Sequence, residues 1–73
     1  MPHIAIKLYP GRSEALKQAL AAAINQRVQE VLNCEERYVS ISFEEVPPER
    51  WREQVYQPEI LDHPERVYQK PGY

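Results

Sequence analysis

Residues 13–33, SEALKQALAAAINQRVQEVLN, carry a strong helical pattern around which the rest of the chain is arranged. Apolar side chains recur through it every three or four residues, which is the spacing of one face of a helix. They are Leu16, Leu20, Ile24, Val28 and Val31. Ser13 is a typical N-cap, and Asn33 is a plausible residue to end the helix. The stretch therefore predicts a single helix over 13–33 that spans about 30 Å.

An alternating segment lies on each side of this helix. In residues 3–8, HIAIKL, apolar side chains alternate with small or polar ones, and the turn sequence YPG follows at 9–11. Residues 38–46, YVSISFEEV, alternate in the same way and end at a double proline. Both patterns predict half-buried strands. Because the helix returns the chain to the start of the first strand, we expect parallel strands joined by a right-handed crossover.

The chain is too short to bury much apolar surface by itself. It has 73 residues, and a domain of this size buries only about 60% of the surface that its unfolded chain exposes. Cys34 is the only cysteine, so no disulfide forms within the chain, and His3 and His63 lack the spacing of metal ligands. We therefore expect an α+β fold in which two β-α-β units pair, giving a four-stranded sheet with both helices on one face.

Charge and hydropathy argue against several classes of partner. Eleven acidic residues against nine basic ones give a formal charge of −2, which disfavours nucleic acid. No apolar run approaches the roughly 20 residues that a membrane span needs. The first residues do not resemble a signal peptide, and a single cysteine fits a reducing compartment. We expect a cytoplasmic protein that binds neither nucleic acid nor membranes.

Residues 48–73 carry a weaker pattern than the rest of this single domain. They are polar and contain Pro58, Pro64 and Pro71, so they predict short helical turns and no long regular helix. Scattered apolar side chains, Val55 among them, predict that this tail packs on the body of the domain or on a partner subunit.

Pro2 directly follows the initiator methionine. Methionine before a small residue is normally removed, and its removal would convert the nitrogen of Pro2 into a free secondary amine. A free α-amino group titrates at roughly 7.7–8.0, and an apolar or positively charged setting lowers that pKa further. Such an amine suits general acid–base catalysis. The alternative is a proline that only limits strand pairing or aids processing, and the dipeptide alone favours this alternative.

Three further residues are candidates for a binding site. Arg12 lies in the loop that enters the helix, where a guanidinium and free backbone amides both suit a carboxylate. Trp51 is the only tryptophan, and it could form the apolar wall of a pocket or fasten the tail to the core. Ser40 points away from the helix and could donate a hydrogen bond. Taken singly, Arg12 and Ser40 are also typical of ordinary surface residues.

Five features follow one another along the chain. They are Pro2 after Met1, the sequence GRS at 11–13, the long helix to Asn33, the strand YVSISFEEV at 38–46, and Trp51. Their order and spacing resemble those of the 4-oxalocrotonate tautomerase family, from residue 2 to about residue 51. The sequence KPGY at 70–73 is similar to the end of small bacterial members that act on phenylenolpyruvate-like enols.

The resemblance implies an isomerase that interconverts the enol and keto forms of a 2-oxo acid without a cofactor. It implies that Pro2 is the general acid and base, that Arg12, often from a neighbouring subunit, binds a substrate carboxylate, and that Trp51 keeps the site apolar. Ser40 occupies the position at which the family has a second arginine that helps to bind the substrate carboxylate. Because this arginine is missing, a 2-oxo monocarboxylate with an aromatic or apolar side chain fits better than a dicarboxylate. The resemblance implies assembly as dimers or as hexamers built from dimers, and the tail leads us to expect a dimer.

Two alternatives stay open at the level of sequence. Relatives that hydrate or dehalogenate their substrates use a carboxylate to activate water, and Glu53 is the candidate for that role. A non-catalytic dimeric module is the other alternative, with Tyr56, Tyr68 and Tyr73 as interface residues. Retention of Met1 would acylate Pro2 and favour this second alternative.

Overall fold

The computed structural model describes all 73 residues and contains the predicted β-α-β unit. The strand β1 (His3–Leu8) leads to the helix α1 (Glu14–Leu32), and β2 (Ser40–Glu45) follows after a 3₁₀ turn at Glu36–Tyr38. The two strands are parallel, with His3 opposite Ser40 and Leu8 opposite Glu45. The predicted α+β fold with parallel strands is therefore confirmed.

Both ends of α1 are capped by the residues that the sequence indicated. The side-chain oxygen of Ser13 accepts the backbone N–H of Leu16 at 3.2 Å, which satisfies one of the free donors of the first turn. Asn33 adopts the left-handed conformation, with φ 54° and ψ 53°, and its N–H donates to the carbonyl of Gln29. The helix consequently ends where the chain must turn back toward β2.

The apolar stripe of α1 is divided between two environments. Ile24 and Val28 are half-buried, whereas Leu16, Leu20 and Val31 are 62%, 44% and 66% exposed. A sheet of two strands is too narrow to cover the whole stripe, so part of it stays in solvent. In a single chain, one part of the predicted apolar stripe therefore packs on the sheet, and the other part is exposed to solvent.

The buried core of one chain is very small. Only Val46 and Val55 are buried, at 1% and 6% exposure, and they lie where the tail meets the carboxyl ends of the strands. The N–H of Val46 donates to the carbonyl of Leu8 at 2.9 Å, which extends the pairing of the strands past β2. Two buried side chains cannot offset the conformational entropy of a folded domain, so further apolar burial must come from association.

The tail differs from the short turns that its prolines predicted. The helix α2 (Pro48–Trp51) continues without a break into a π-helical segment (Arg52–Leu61). Pro48 occupies the first turn, where its missing N–H is not needed, and Pro58 lies inside the wider π-helical segment. A 3₁₀ turn at Pro64–Arg66 follows. None of the helices is both long and apolar enough to cross a membrane.

Candidate active site

Pro2 lies at the amino end of β1. It is half-buried, and its carbonyl accepts the backbone N–H of Ser40 at 3.2 Å, which holds it beside the start of β2. The preceding residue, Met1, is 92% exposed. Removal of Met1 therefore takes away little packing and leaves the backbone bond from Ser40 to Pro2 intact.

Ser40 makes a polar cluster with His3 on the sheet face opposite α1. The Nδ1 atom of His3 is 2.7 Å from the hydroxyl oxygen of Ser40, and its Nε2 atom is 3.4 Å from that of Ser42. The hydroxyl of Ser40 is consequently engaged by a neighbouring side chain. No local sequence pattern indicates this pair, because only the parallel register brings positions 3 and 40 side by side.

Arg12 and Trp51 lie together at the other end of β1. They line an open groove of about 580 Å³ beside the free edge of this strand. The lining also includes Ile6, Leu8, Leu20 and Tyr73. The surface of the groove is mostly apolar, with a guanidinium at one side, which is the composition that suits a small apolar carboxylate.

Three aromatic side chains form one wall of this groove. The ring of Trp51 meets that of Tyr9 edge to face, with 5.1 Å between centroids and an angle of 90°. The indole N–H of Trp51 donates to the hydroxyl oxygen of Tyr73 at 3.0 Å. Trp51 therefore serves both roles that the sequence left open, as an apolar wall and as a fastening for the tail.

The two cations of the groove differ in their partners. Lys7 forms an ion pair with Glu59 of the π-helical segment, and the hydrogen bond from this carboxylate raises the pKa of Lys7 above its ordinary value. Arg12 is exposed and forms no salt bridge within the chain. Arg12 is thus the cation of this groove that is available to a ligand carboxylate.

The four predicted site residues fall into two pairs in a single chain. Pro2 and Ser40 lie at the amino end of β1, and Arg12 and Trp51 lie beyond its carboxyl end. Six residues of strand separate the pairs, a distance of about 20 Å at about 3.3 Å per residue. One chain therefore does not bring the proline nitrogen to the groove.

Glu53 and Arg37, two other residues considered for the site, do not line the groove. Glu53, the candidate for water activation, is exposed and does not line the groove. Arg37, which precedes β2 and could be considered in place of the arginine missing at Ser40, pairs with Glu35 at 3.1 Å and stacks on the ring of Tyr38 at 4.5 Å. Tyr9 and Tyr73 line the groove, yet the sequence did not point to Tyr9 and suggested Tyr73 only as an interface residue.

Comparison with known proteins extends over the whole chain. A family model described as tautomerase enzyme matches residues 2–55. A probable tautomerase of Xylella fastidiosa is 42% identical over 73 residues, which cover all of this chain and 89% of that protein. The tautomerase PptA of Cronobacter sakazakii is 39% identical over 74 residues, covering all of this chain and 97% of that protein. PptA of Escherichia coli O127:H6 has the same identity and coverage.

Proposed function

The chain belongs to the tautomerase family, and from this premise we propose that it interconverts the enol and keto forms of a 2-oxo monocarboxylate such as phenylenolpyruvate. Family membership makes it an isomerase that acts on a small molecule as an oligomer. The observation that carries the proposal is the groove beside β1, which is lined both by Arg12, a residue without a salt bridge, and by an aromatic wall. No cofactor takes part in the proposed reaction.

The proposed site requires a second copy of the chain paired along β1. Leu20, from the exposed part of the α1 stripe, lines the groove with Ile6 and Leu8, so apolar surface borders the free edge of β1. The hollow beside β2 also contains apolar side chains, but a smaller part of its surface is apolar, and its lining includes the ion pair of Glu14 and Lys17. Pairing along β1 thus buries the apolar part of α1 and makes the four-stranded sheet with both helices on one face.

A two-fold axis at this edge makes the two β1 strands antiparallel. The amino end of one strand then lies beside the carboxyl end of the other. Pro2 of one protomer consequently approaches the groove that holds Arg12 and Trp51 of the other protomer. The two pairs of site residues, about 20 Å apart in one chain, become neighbours across the interface, and a dimer has two equivalent sites.

The reaction follows from the chemistry of these groups. The amine of Pro2, freed by removal of Met1, takes the proton from the enol hydroxyl, and a proton is returned to the adjacent carbon as the oxygen becomes the keto group. Arg12 holds the carboxylate with its planar fork of donors. The aromatic wall at Trp51 and Tyr9 accepts the apolar side chain, and this apolar setting lowers the pKa of the amine because it disfavours the ammonium form.

A substrate with one carboxylate fits the charges of the groove. Arg12 is the only arginine that lines it, and Lys7 is already paired with Glu59. The hydroxyl of Ser40 is bonded to His3 at the amino end of β1, where it contributes to the shape of the Pro2 region. A second carboxylate would have no free cation to pair with, which supports a monocarboxylate.

The tail supports a dimer over a hexamer. Through the Lys7–Glu59 ion pair, the π-helical segment reaches the β1 residues whose side chains alternate onto the sheet face opposite α1. We propose that this segment covers surface that further copies would need.

The single free cysteine, Cys34, is half-buried. A lone cysteine without a disulfide partner in the chain is consistent with a reducing compartment, and we propose the cytoplasm.

The proposal is tested by an ultraviolet assay of phenylenolpyruvate ketonisation, with intact mass measured on the same preparation. We expect loss of Met1 and a fall of at least about 100-fold in kcat for Pro2→Ala, the size of a general acid–base contribution. Pro10→Ala, in the exposed turn after β1, is the matched control and keeps wild-type activity. Equal rates for Pro2→Ala and wild type, or an active protein that retains Met1, would contradict the proline mechanism.

A further inference from the structure

Tyr73 is held in place by contacts from two different residues of the tail. Its hydroxyl oxygen accepts the indole N–H of Trp51 at 3.0 Å, and its backbone oxygen accepts the hydroxyl of Tyr56 at 3.1 Å. The rings of Tyr56 and Tyr73 also pack together, with 5.2 Å between centroids. Tyr73 nevertheless stays 67% exposed and lines the same groove as Arg12. It is therefore a positioned side chain on a surface open to a ligand.

The hydroxyl proton of Tyr73 has no partner within the chain. An indole N–H is only a donor, so its bond to Tyr73 uses a lone pair of the phenol oxygen and leaves the phenol O–H unused. No other hydrogen bond of this hydroxyl occurs in the chain. Because a bond accepted by an oxygen polarises its own O–H, the contact with Trp51 makes this hydroxyl a better donor.

A 2-oxo acid brings two acceptor groups into the groove, a carboxylate and the oxygen on the next carbon. Arg12 satisfies the carboxylate under the proposed function, which leaves the second oxygen without a donor. The ammonium of Lys7 is bound to Glu59, and the N–H of Trp51 is bound to Tyr73. The hydroxyls of Tyr9 and Tyr73 are the remaining phenol donors of the groove, and only that of Tyr73 is fixed by a hydrogen bond.

We infer that Tyr73 contacts the substrate and that its hydroxyl donates a hydrogen bond to the 2-oxo or enol oxygen, an inference that rests on the proposed function. During ketonisation this oxygen gains negative charge as its proton leaves to Pro2. A fixed donor at that oxygen stabilises the developing charge and requires no rearrangement during the reaction. Tyr73 also makes the groove selective for acids that carry an oxygen next to the carboxylate.

The binding test uses the fluorescence of Trp51, the only tryptophan of the chain, which reports directly on the groove. Two ligands are titrated, 2-oxo-3-phenylpropanoate and 3-phenylpropanoate, which differ only in the 2-oxo oxygen. We expect the wild type to prefer the 2-oxo acid, and Tyr73→Phe to reduce this preference about tenfold. The affinity for 3-phenylpropanoate stays within about twofold of wild type, because that ligand has no oxygen for the hydroxyl to contact.

The matched control is Tyr68→Phe, which makes the same change on a tyrosine of the same tail that is fully exposed. It leaves both affinities unchanged. In the ketonisation assay Tyr73→Phe lowers kcat/KM about tenfold, and Tyr68→Phe has no effect. A purely structural role for Tyr73 would weaken both ligands equally and lower the thermal unfolding temperature.

Two outcomes would overturn the inference. The first is an unchanged preference in Tyr73→Phe, whether both affinities stay constant or fall equally. The second is a loss of preference in Tyr9→Phe instead, which would assign the donor to Tyr9. Failure of the proposed function is a separate result, seen as a wild type without ketonisation activity. The titration still decides in that case whether Tyr73 recognises the 2-oxo oxygen.

Discussion

The two ends of β1 differ in chemistry although six residues of one strand join them. At the amino end, Pro2 and His3 face small polar side chains of β2, and hydrogen bonds between the strands set the geometry. At the carboxyl end, Arg12 borders an apolar groove whose aromatic wall combines Tyr9 with Trp51 and Tyr73 of the tail. One end therefore has the group suited to moving a proton, and the other has the groups suited to binding an apolar acid. Under the proposed function, each chain carries two halves of a site, and pairing of two copies along β1 would join them.

The largest effect is expected from preventing this association. Leu20→Glu places a carboxylate in the exposed apolar stripe beside the free edge of β1, where the proposed interface would have to bury it. We expect a monomer by light scattering and loss of more than about 100-fold in ketonisation rate, since each half-site would stand alone. Ala22→Glu, on an exposed position of the same helix, is the control and leaves the dimer intact. If Leu20→Glu is monomeric and still active, the active site is not shared between two protomers.

The binding half is tested by Arg12→Gln, which removes the charge and keeps a polar side chain. The loss of a charged hydrogen-bonding partner raises KM by about 10- to 100-fold, with a smaller change in kcat. Pro2→Ala acts mainly on kcat. Variants at the two ends of β1 should therefore affect different constants, kcat at the amino end and KM at the carboxyl end. Arg50→Gln, an exposed arginine outside the groove, is the control. An Arg12→Gln enzyme with an unchanged KM would assign carboxylate binding to another group.

A smaller effect is expected at the aromatic wall. Trp51→Phe keeps an apolar ring but loses the N–H that fixes the hydroxyl of Tyr73. The loss of one neutral hydrogen bond predicts a fall of about fivefold in kcat/KM. Combined with Tyr73→Phe the two losses should not add, because both variants break the same contact. Fully additive effects would mean that the two side chains act independently.

The smallest effect is expected where the tail is tied to β1. Glu59→Gln removes the ion pair with Lys7, and because both side chains are partly exposed the loss of stability is below about 1 kcal/mol. The pKa of Lys7 is raised in the folded state, so the ion pair contributes fully below about pH 10.4 and its contribution disappears as the pH rises through the raised value. The difference in thermal unfolding between the two proteins should be largest near pH 8 and should shrink as the pH rises above about 10.4. A difference that does not shrink over this alkaline range would point to a cause other than this charge pair.

Local sequence patterns were sufficient for the elements of the β-α-β unit. Alternation predicted β1, and Ser13 and Asn33 predicted the ends of α1, because caps and periodicity depend on residues only a few positions apart. The strand expected at 38–46 is shorter at its start, since a 3₁₀ turn occupies Glu36–Tyr38. These signals need no knowledge of distant contacts.

Contacts between distant positions were not predictable in the same way. The bond between His3 and Ser40 depends on strand register, and the bond between Trp51 and Tyr73 depends on how the tail folds back. The π-helical segment was missed because Pro58 normally ends or kinks a regular helix. The resemblance to a family pointed to Pro2 and to the groove residues, but their separation along β1 is visible only in the structure.

The central claim is that each active site combines Pro2 of one protomer with Arg12 of the other. The test combines two impaired variants, Pro2→Ala and Arg12→Gln. Equal amounts are unfolded together and then refolded, so that mixed dimers form alongside the two parent dimers. A mixed dimer has one site with both native groups and one site with neither. Random pairing makes about half of the dimers mixed, so about a quarter of all sites have both native groups. We therefore predict that the mixture recovers about a quarter of the wild-type kcat/KM, measured at substrate concentrations well below KM. A kcat/KM no higher than the average of the two parent proteins would contradict a site shared between protomers.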